Sequence, residues 1–153
     1  MAAVTAEPTP VQGCAAVRLG AMRYLPMASR DFCDRYLGGP LGASLAKAPM
    51  LNFNRKDALQ TSYLRSVTRR SAYPPTHFLP SSAAFSEAVR MGLGWGLVPE
   101  PDLRPDDDAP GGLVRLDDRH VDVPLYWQHW RVESALLRTL TEEVRAHAEA
   151  ALH

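Results

Sequence analysis

The stretch "THFLPSSAAFSEAVRMGLGWGLVPE", Thr76 to Glu100, decides the reading of this chain. Thr76 to Pro80 is a short apolar run with strand character. Ser81 and Ser82 follow, and either can cap a helix by accepting a backbone N–H of its first turn. From there Phe85, Ala88, Val89 and Leu93 recur at helical spacing and predict one inward face. Glycines then break the helix, and "WGLVP" restores an apolar strand before Glu100. A strand, a capped helix and a second strand joined by short connections predict an α/β layer with a mainly parallel sheet.

The same unit recurs on the N-terminal side. "APMLNFN" is a short strand, and "RKDALQTSYLRSV" places Leu59, Tyr63, Leu64 and Val67 on one helical face with Asp57 as its cap. Before it, "VRLGAMRYLPMAS" reads as a strand in which Pro26 must interrupt one side of the ladder. "SRDFCDRYLGG" is a helix with Ser29 as N-cap, Asp31 in the first turn and a Gly38-Gly39-Pro40 stop. "AAVTAEPTPVQGC" predicts an edge strand running into a proline-broken connector. On the C-terminal side, "EPDLRPDDDAPGG" predicts a loop, while "GLVRL" and "VDVPLYWQHW" predict returning strands. The final "ESALLRTLTEEVRAHAEAALH" predicts a helix with Leu136, Leu137, Leu140, Val144 and Ala148 on its apolar face.

A chain of 153 residues can bury one real core. Lys and Arg number 17 against 17 Asp and Glu, so no global field favours nucleic acid or an anionic membrane. No secretory signal and no run of roughly 20 apolar residues is present, which predicts a cytoplasmic protein with no membrane partner. Cys14 and Cys33 are the only cysteines and lack CxxC spacing, so they predict reduced thiols rather than a zinc site. His77, His120, His129, His147 and His153 show no metal-ligating spacing. Neither metal nor cofactor is expected. "GLGWG" is not a GxGxxG fingerprint, and no GxSxG or Cys-His arrangement supports an enzyme. "RSVTRRS" reads as a solvated face.

Ligands of open α/β sheets bind beyond the carboxyl ends of the strands. Ser29, Ser81 and Ser82 stand at such ends and also begin helices, whose free N–H groups suit a carboxylate. Each serine is equally explained as a cap. Glu7 is a candidate partner for a cationic ligand, or a solvated surface acid. Asp57 is a second such candidate, or a helix cap. Phe85 either lines an apolar pocket or fills the core. Trp127, within Tyr126-Trp127-Gln128, either flanks a ligand or packs.

Taken together, "VTAEPTPVQGC", "RYLPMAS", "NFNRKDALQ", "PSSAAFSEAVRMGLGWGLVPE" and "VDVPLYWQHW" resemble the effector-binding domain of LysR-type transcriptional regulators. Within that family the resemblance is to the lysine/arginine-export (LysG/ArgP-like) subfamily, and it covers nearly the whole chain. "GLGWGLVPE" is general to the family, whereas "VTAEPTPVQGC", "RKDALQ" and "LYWQHW" are more specific. The resemblance implies a periplasmic-binding-protein-like type 2 fold, with a basic-amino-acid effector held between two α/β subdomains. It implies one complete Rossmann-like subdomain plus part of a second. Residues 1–17 end subdomain one and form the first crossover, 18–116 form subdomain two, and 117–153 return to subdomain one. It further implies a homo-oligomer that controls an exporter gene and reaches DNA only through an N-terminal winged helix-turn-helix. That element is not in these residues, so the chain reads as an N-terminally truncated member of the family. In that setting Glu7, Ser29, Asp57, Ser81, Ser82, Phe85 and Trp127 are the effector-binding candidates, and the Ser-Ser-x-x-Phe turn is one wall of the cleft. Asn54 and Ala58 stand where the subfamily pattern carries acids, which weakens the carry-over of basic-amino-acid specificity. A stand-alone cytosolic binding module or a non-functional gene fragment is the alternative.

Overall fold

The computed structural model describes residues 2–109, 112–132 and 134–153. Met1, Pro110, Gly111 and Glu133 fall outside them, and with them part of the proline-rich loop and the first residue of the run expected to form the final helix. In chain order the elements are β1 (Ala2–Thr5), β2 (Cys14–Ser29), α1 (Arg30–Tyr36), α2 (Leu41–Leu45), β3 (Met50–Asn52), α3 (Leu59–Thr68) and β4 (Thr76–Phe78). They continue as α4 (Ser82–Arg90), β5 (Gly96–Pro99), β6 (Leu113–Arg115), β7 (Val121–Trp130) and α5 (Ala135–Ala151). Two 3-10 turns, Glu100–Asp102 and Pro105–Asp108, occupy the segment expected to be plain loop. The chain divides into two compact units, Met1–Arg23 with Asp122–His153, and Tyr24–Val121.

In the first unit β1 lies antiparallel on β7, with Ala2 opposite His129 and Thr5 opposite Tyr126. The α5 helix turns Leu137, Thr141, Val144 and Ala148 inward, at the i, i+4, i+7 and i+11 spacing of one helical face. Leu136 and Leu140, expected on that face, point out instead, at 79% and 44% exposure. The stripe is rotated by about a residue because Trp127 Nε1 donates to Thr141 Oγ1 at 3.0 Å and turns that polar position toward the sheet. The chain end closes on β2, where Ala21 N–H donates to the His153 carbonyl and His153 N–H to the Ala21 carbonyl.

In the second unit the strands run β4–β3–β5–β2–β6. β3 and β4 are parallel. Backbone bonds from Leu51 and Trp95, with a parallel bridge between Met50 and Trp95, carry β3 onto the start of β5. The remaining ladders are antiparallel, β2 with β5 and β2 with β6. The mainly parallel expectation therefore holds only for β4, β3 and β5; β2 runs against them. Pro26 accepts Leu116 N–H through its carbonyl and has no N–H to return, so the β6 ladder stops beside it.

The period-two alternation of the strands splits the core onto two faces. Ala28, Met50 and Leu97 look toward Phe32, Leu45, Tyr63, Leu64 and Trp95. Met27, Leu51 and Val98 look toward Phe85, Ala88, Val89 and Leu113. Helices α1, α2 and α3 thus cover one face and α4 the other. Each fully buried Leu, Val or Phe side chain contributes on the order of 1.5–3 kcal/mol. Leu93, expected inward, falls in the turn after α4 and is 45% exposed.

Candidate functional site

Strand direction decides which candidates share an edge. β3, β4 and β5 run the same way, so Asn52, Phe78 and Pro99, their last residues, mark one edge of the second unit's sheet. Beyond them lie the Phe53–Asp57 turn, Ser81 and Ser82, and the Glu100–Asp102 turn. Tyr24 stands opposite Pro99 in register and belongs to the same edge.

Ser81 is extended (φ −148°, ψ 118°) and its Oγ accepts Ala84 N–H at 3.4 Å. Both Ser81 and Ser82 are exposed, so the first turn of α4 presents hydroxyls and backbone donors to solvent. Asp57 closes the turn before α3. Its Oδ1 accepts Leu59 N–H at 2.9 Å and its carbonyl accepts the buried Asn52 amide at 3.1 Å. Asn54 shapes the same turn by accepting Lys56 and Asp57 N–H groups through Oδ1. Arg55 lies over the Phe78 ring, 5.2 Å from its centroid.

Burial, and after it the negative charge of Asp57 and Asp102, pushes the Tyr24 hydroxyl above its usual range. Both carboxylates therefore project their field onto Tyr24. Asp102 also accepts the Ser86 hydroxyl at 2.7 Å. Tyr24 and Asp102 were not among the residues singled out by sequence. The acidic run around Asp102 was visible there, but nothing local brings it to Tyr24.

Ser29 is a correction. It caps α1 as expected, with Oγ accepting Phe32 N–H at 3.3 Å, and is 3% exposed. Because β2 is antiparallel to β5, however, its carboxyl end lies at the opposite edge. There it meets Gly92, just past the end of α4. A Cβ on Gly92 (φ +74°) would stand 2.9 Å from Ser29 Oγ. Ser81 and Ser82 begin that same nine-residue helix, so roughly 13 Å of helix separates the two positions.

Phe85 is also placed. Its ring is 5% exposed in the core beneath α4, close enough to Gly96 that a Cβ there would approach it to 2.8 Å. The core alternative is the one the structure shows.

Two candidates belong to the first unit. Glu7 is exposed; its Oε1 accepts Thr9 N–H at 3.4 Å and its own N–H donates to Thr5 Oγ1 at 3.1 Å. Trp127 is 5% exposed and spends its indole N–H on Thr141, so it packs. Its neighbour Gln128 is buried and bonds to the loop that carries Glu7. The polar interruption of "LYWQHW" was the signal for that residue.

Cys14 and Cys33 are free thiols. Among the described residues no group of three or more His, Cys, Asp or Glu side chains could hold a metal ion. No helix of the described residues is long and apolar enough to cross a membrane.

The family described as LysR substrate binding domain matches residues 2–149. The HTH-type transcriptional regulator LysG of Mycobacterium tuberculosis is 49% identical over 149 residues, covering 97% of this chain and 49% of that protein. The crystal structure of ArgP from Mycobacterium tuberculosis superposes with a TM-score of 0.91 at 47% identity, covering 100% of this chain and 53% of that one. Full-length LysG from Corynebacterium glutamicum with bound effector Arg gives a TM-score of 0.81 at 39% identity, covering 99% of this chain and 52% of that one. The chain thus spans about half the length of the curated relatives it matches. With strands, capped helices and family match in agreement, the chain belongs to the LysR substrate-binding-domain family and carries its periplasmic-binding-protein-like type 2 α/β fold.

Proposed function

We propose that this chain is the effector-sensing part of a LysR-type regulator that responds to a basic amino acid, lysine or arginine, and controls an amino-acid exporter gene. The observation that carries the reading is the likeness, over 99% of this chain, to a LysG structure holding the effector Arg. In this proposal the chain does no chemistry of its own. DNA contact, homo-oligomer assembly and a cytoplasmic setting belong to the whole regulator. Residues 18–116 serve as the effector-binding subdomain, and the flanking residues belong to the other.

The local chemistry agrees. The exposed start of α4, with Ser81 and Ser82, offers donors and a positive dipole end to a carboxylate. Asp57 and Glu7 are the acids proposed for the cationic end, through charge-assisted hydrogen bonds. Ser29 has no part in the proposal. Phe85 supports the start of α4 from beneath, and Trp127 supports its strand.

Thermal unfolding tests this directly. L-lysine or L-arginine at a hundredfold excess over Kd should stabilise the chain by about 3 kcal/mol. Norleucine, which ends at the carbon where lysine carries its ammonium, and citrulline, which keeps arginine's length, both lack the cation and should do much less. Equal stabilisation by the neutral analogues, or none by any of the four, overturns the reading.

A further inference from the structure

The loop that carries Glu7 cannot hold itself. Pro8 and Pro10 have no N–H, so alternate residues are unable to donate to any ladder. Several of the remaining donors go to side chains or to the loop's own carbonyls. Glu7 N–H goes to Thr5 Oγ1, Thr9 N–H to Glu7 Oε1, and Cys14 N–H to the Val11 carbonyl. Residues 6 to 13 are all exposed, so packing does not fix their path either.

The far end is tied where Arg131 N–H donates to the Gly13 carbonyl at 3.0 Å, and one buried side chain holds the stretch around Glu7. Gln128, on β7 and 9% exposed, turns its amide into this loop. Its Nε2 donates to the Glu7 carbonyl at 2.9 Å and to the Thr9 carbonyl at 3.2 Å. Its Oε1 accepts Val11 N–H at 3.3 Å. The amide thus acts as a detached peptide group that continues the pairing after β1 leaves β7 at Thr5. A primary amide has two N–H donors and a carbonyl acceptor, and all three groups are used on residues 7, 9 and 11.

We propose that Gln128 is the positioning residue for effector selectivity: by holding the carbonyls of Glu7 and Thr9 and the N–H of Val11, it fixes where the Glu7 carboxylate stands. The inference rests on the reading of Glu7 as the partner of a cationic effector group. Gln128 does not touch the effector in this scheme; it sets Glu7.

The test compares lysine with norleucine by calorimetry on the whole 153-residue chain. The wild type should prefer lysine. Glu7→Gln and Gln128→Met should each cut the lysine-to-norleucine affinity ratio about tenfold or more, with norleucine affinity little changed. A purely structural role for Gln128 would instead lower both affinities together and leave the ratio intact, which overturns the proposal. A wild type with no preference for lysine, or a Glu7→Gln variant that keeps its preference, overturns the Glu7 reading beneath it. Lost preference in Glu7→Gln with preference intact in Gln128→Met overturns the Gln128 inference alone. Should Gln128→Met not fold, hydrogen exchange of Val11 in the wild type decides. Saturating lysine should slow that amide, and an unchanged rate at Val11 alongside slowed Ser82 to Ala84 amides overturns the proposal.

Discussion

A serine at a strand end and a glycine in a strand carry their meaning through what stands opposite them. Ser29 and Ser81 have the same capping chemistry, each accepting the N–H three residues on, yet they lie at opposite edges of one sheet. Gly20 shows the same dependence. It has φ +147°, a conformation side chains rarely adopt, and a Cβ there would stand 2.8 Å from Leu152 Cβ and 3.1 Å from the His153 carbonyl. Two backbone bonds between Ala21 and His153 depend on that approach. Gly20→Ala should therefore cost about 1–3 kcal/mol from strain and overpacking. For a chain of this length that corresponds to a fall in Tm of roughly 2–12 °C. Differential scanning calorimetry reads it, and an unchanged Tm would show that the chain end can leave β2 at no cost. None of this was legible locally, because the partner of Gly20 is more than 130 residues away.

At the scale of elements, a largely buried ion pair ties α4 to the segment expected to be plain loop. Arg90, at the end of α4, donates from Nε to Asp107 Oδ1 at 2.8 Å and from Nη2 to Oδ2 at 2.9 Å. Nη2 also reaches the Asp102 carbonyl, and Asp107 Oδ2 accepts Arg104 N–H. Both side chains are close to 10% exposed, so the pair is largely desolvated. Removing one partner of a buried pair costs about 3–5 kcal/mol, since the other charge stays uncompensated. Asp107→Asn should fall in that range by urea denaturation at pH 7. The Arg90 guanidinium holds the Asp107 carboxyl below its ordinary 3.8. Its contribution is then fully present above that value and is lost as pH falls through the lower folded one. The gap between wild type and Asp107→Asn should stay constant down to about pH 4 and shrink below it. A gap that persists in stronger acid would locate the stabilisation elsewhere. The helices themselves were legible, because capping serines and apolar spacing are local signals. Helix α2, at five residues, is too short to show a period. The direction of β2 was not legible either, since an apolar strand reads alike in both directions, and that is why Ser29 was set beside Ser81.

Across the whole molecule, the candidate features legible in the sequence were those written in consecutive residues: the Ser81-Ser82 helix start and the Asp57 turn. Tyr24 with Asp102, and Gln128 with the Glu7 loop, are assembled by pairing between distant segments. Burial is uneven as well. In α4 Phe85, Ser86, Ala88 and Val89 are all buried, whereas α5, nearly twice as long, buries Ala148 and half-buries Leu137, Thr141 and Val144. Amide protection follows the free energy of local opening, which is low where few apolar groups are buried. Amides from Arg138 to Ala148 should therefore exchange faster than those of Phe85 to Arg90, although α5 is the longer helix and carries a capping Ser134. The Trp127–Thr141 bond gives the experiment a second arm. Thr141→Val removes the indole's acceptor and should speed exchange in α5 while leaving α4 unchanged. The measurement belongs in a sample shown by ultracentrifugation to be monomeric, because association through the exposed Leu136 and Leu140 would slow exchange by covering them. Equal protection of the two helices in such a monomer would mean that α5 is held by contacts stronger than its buried surface supplies.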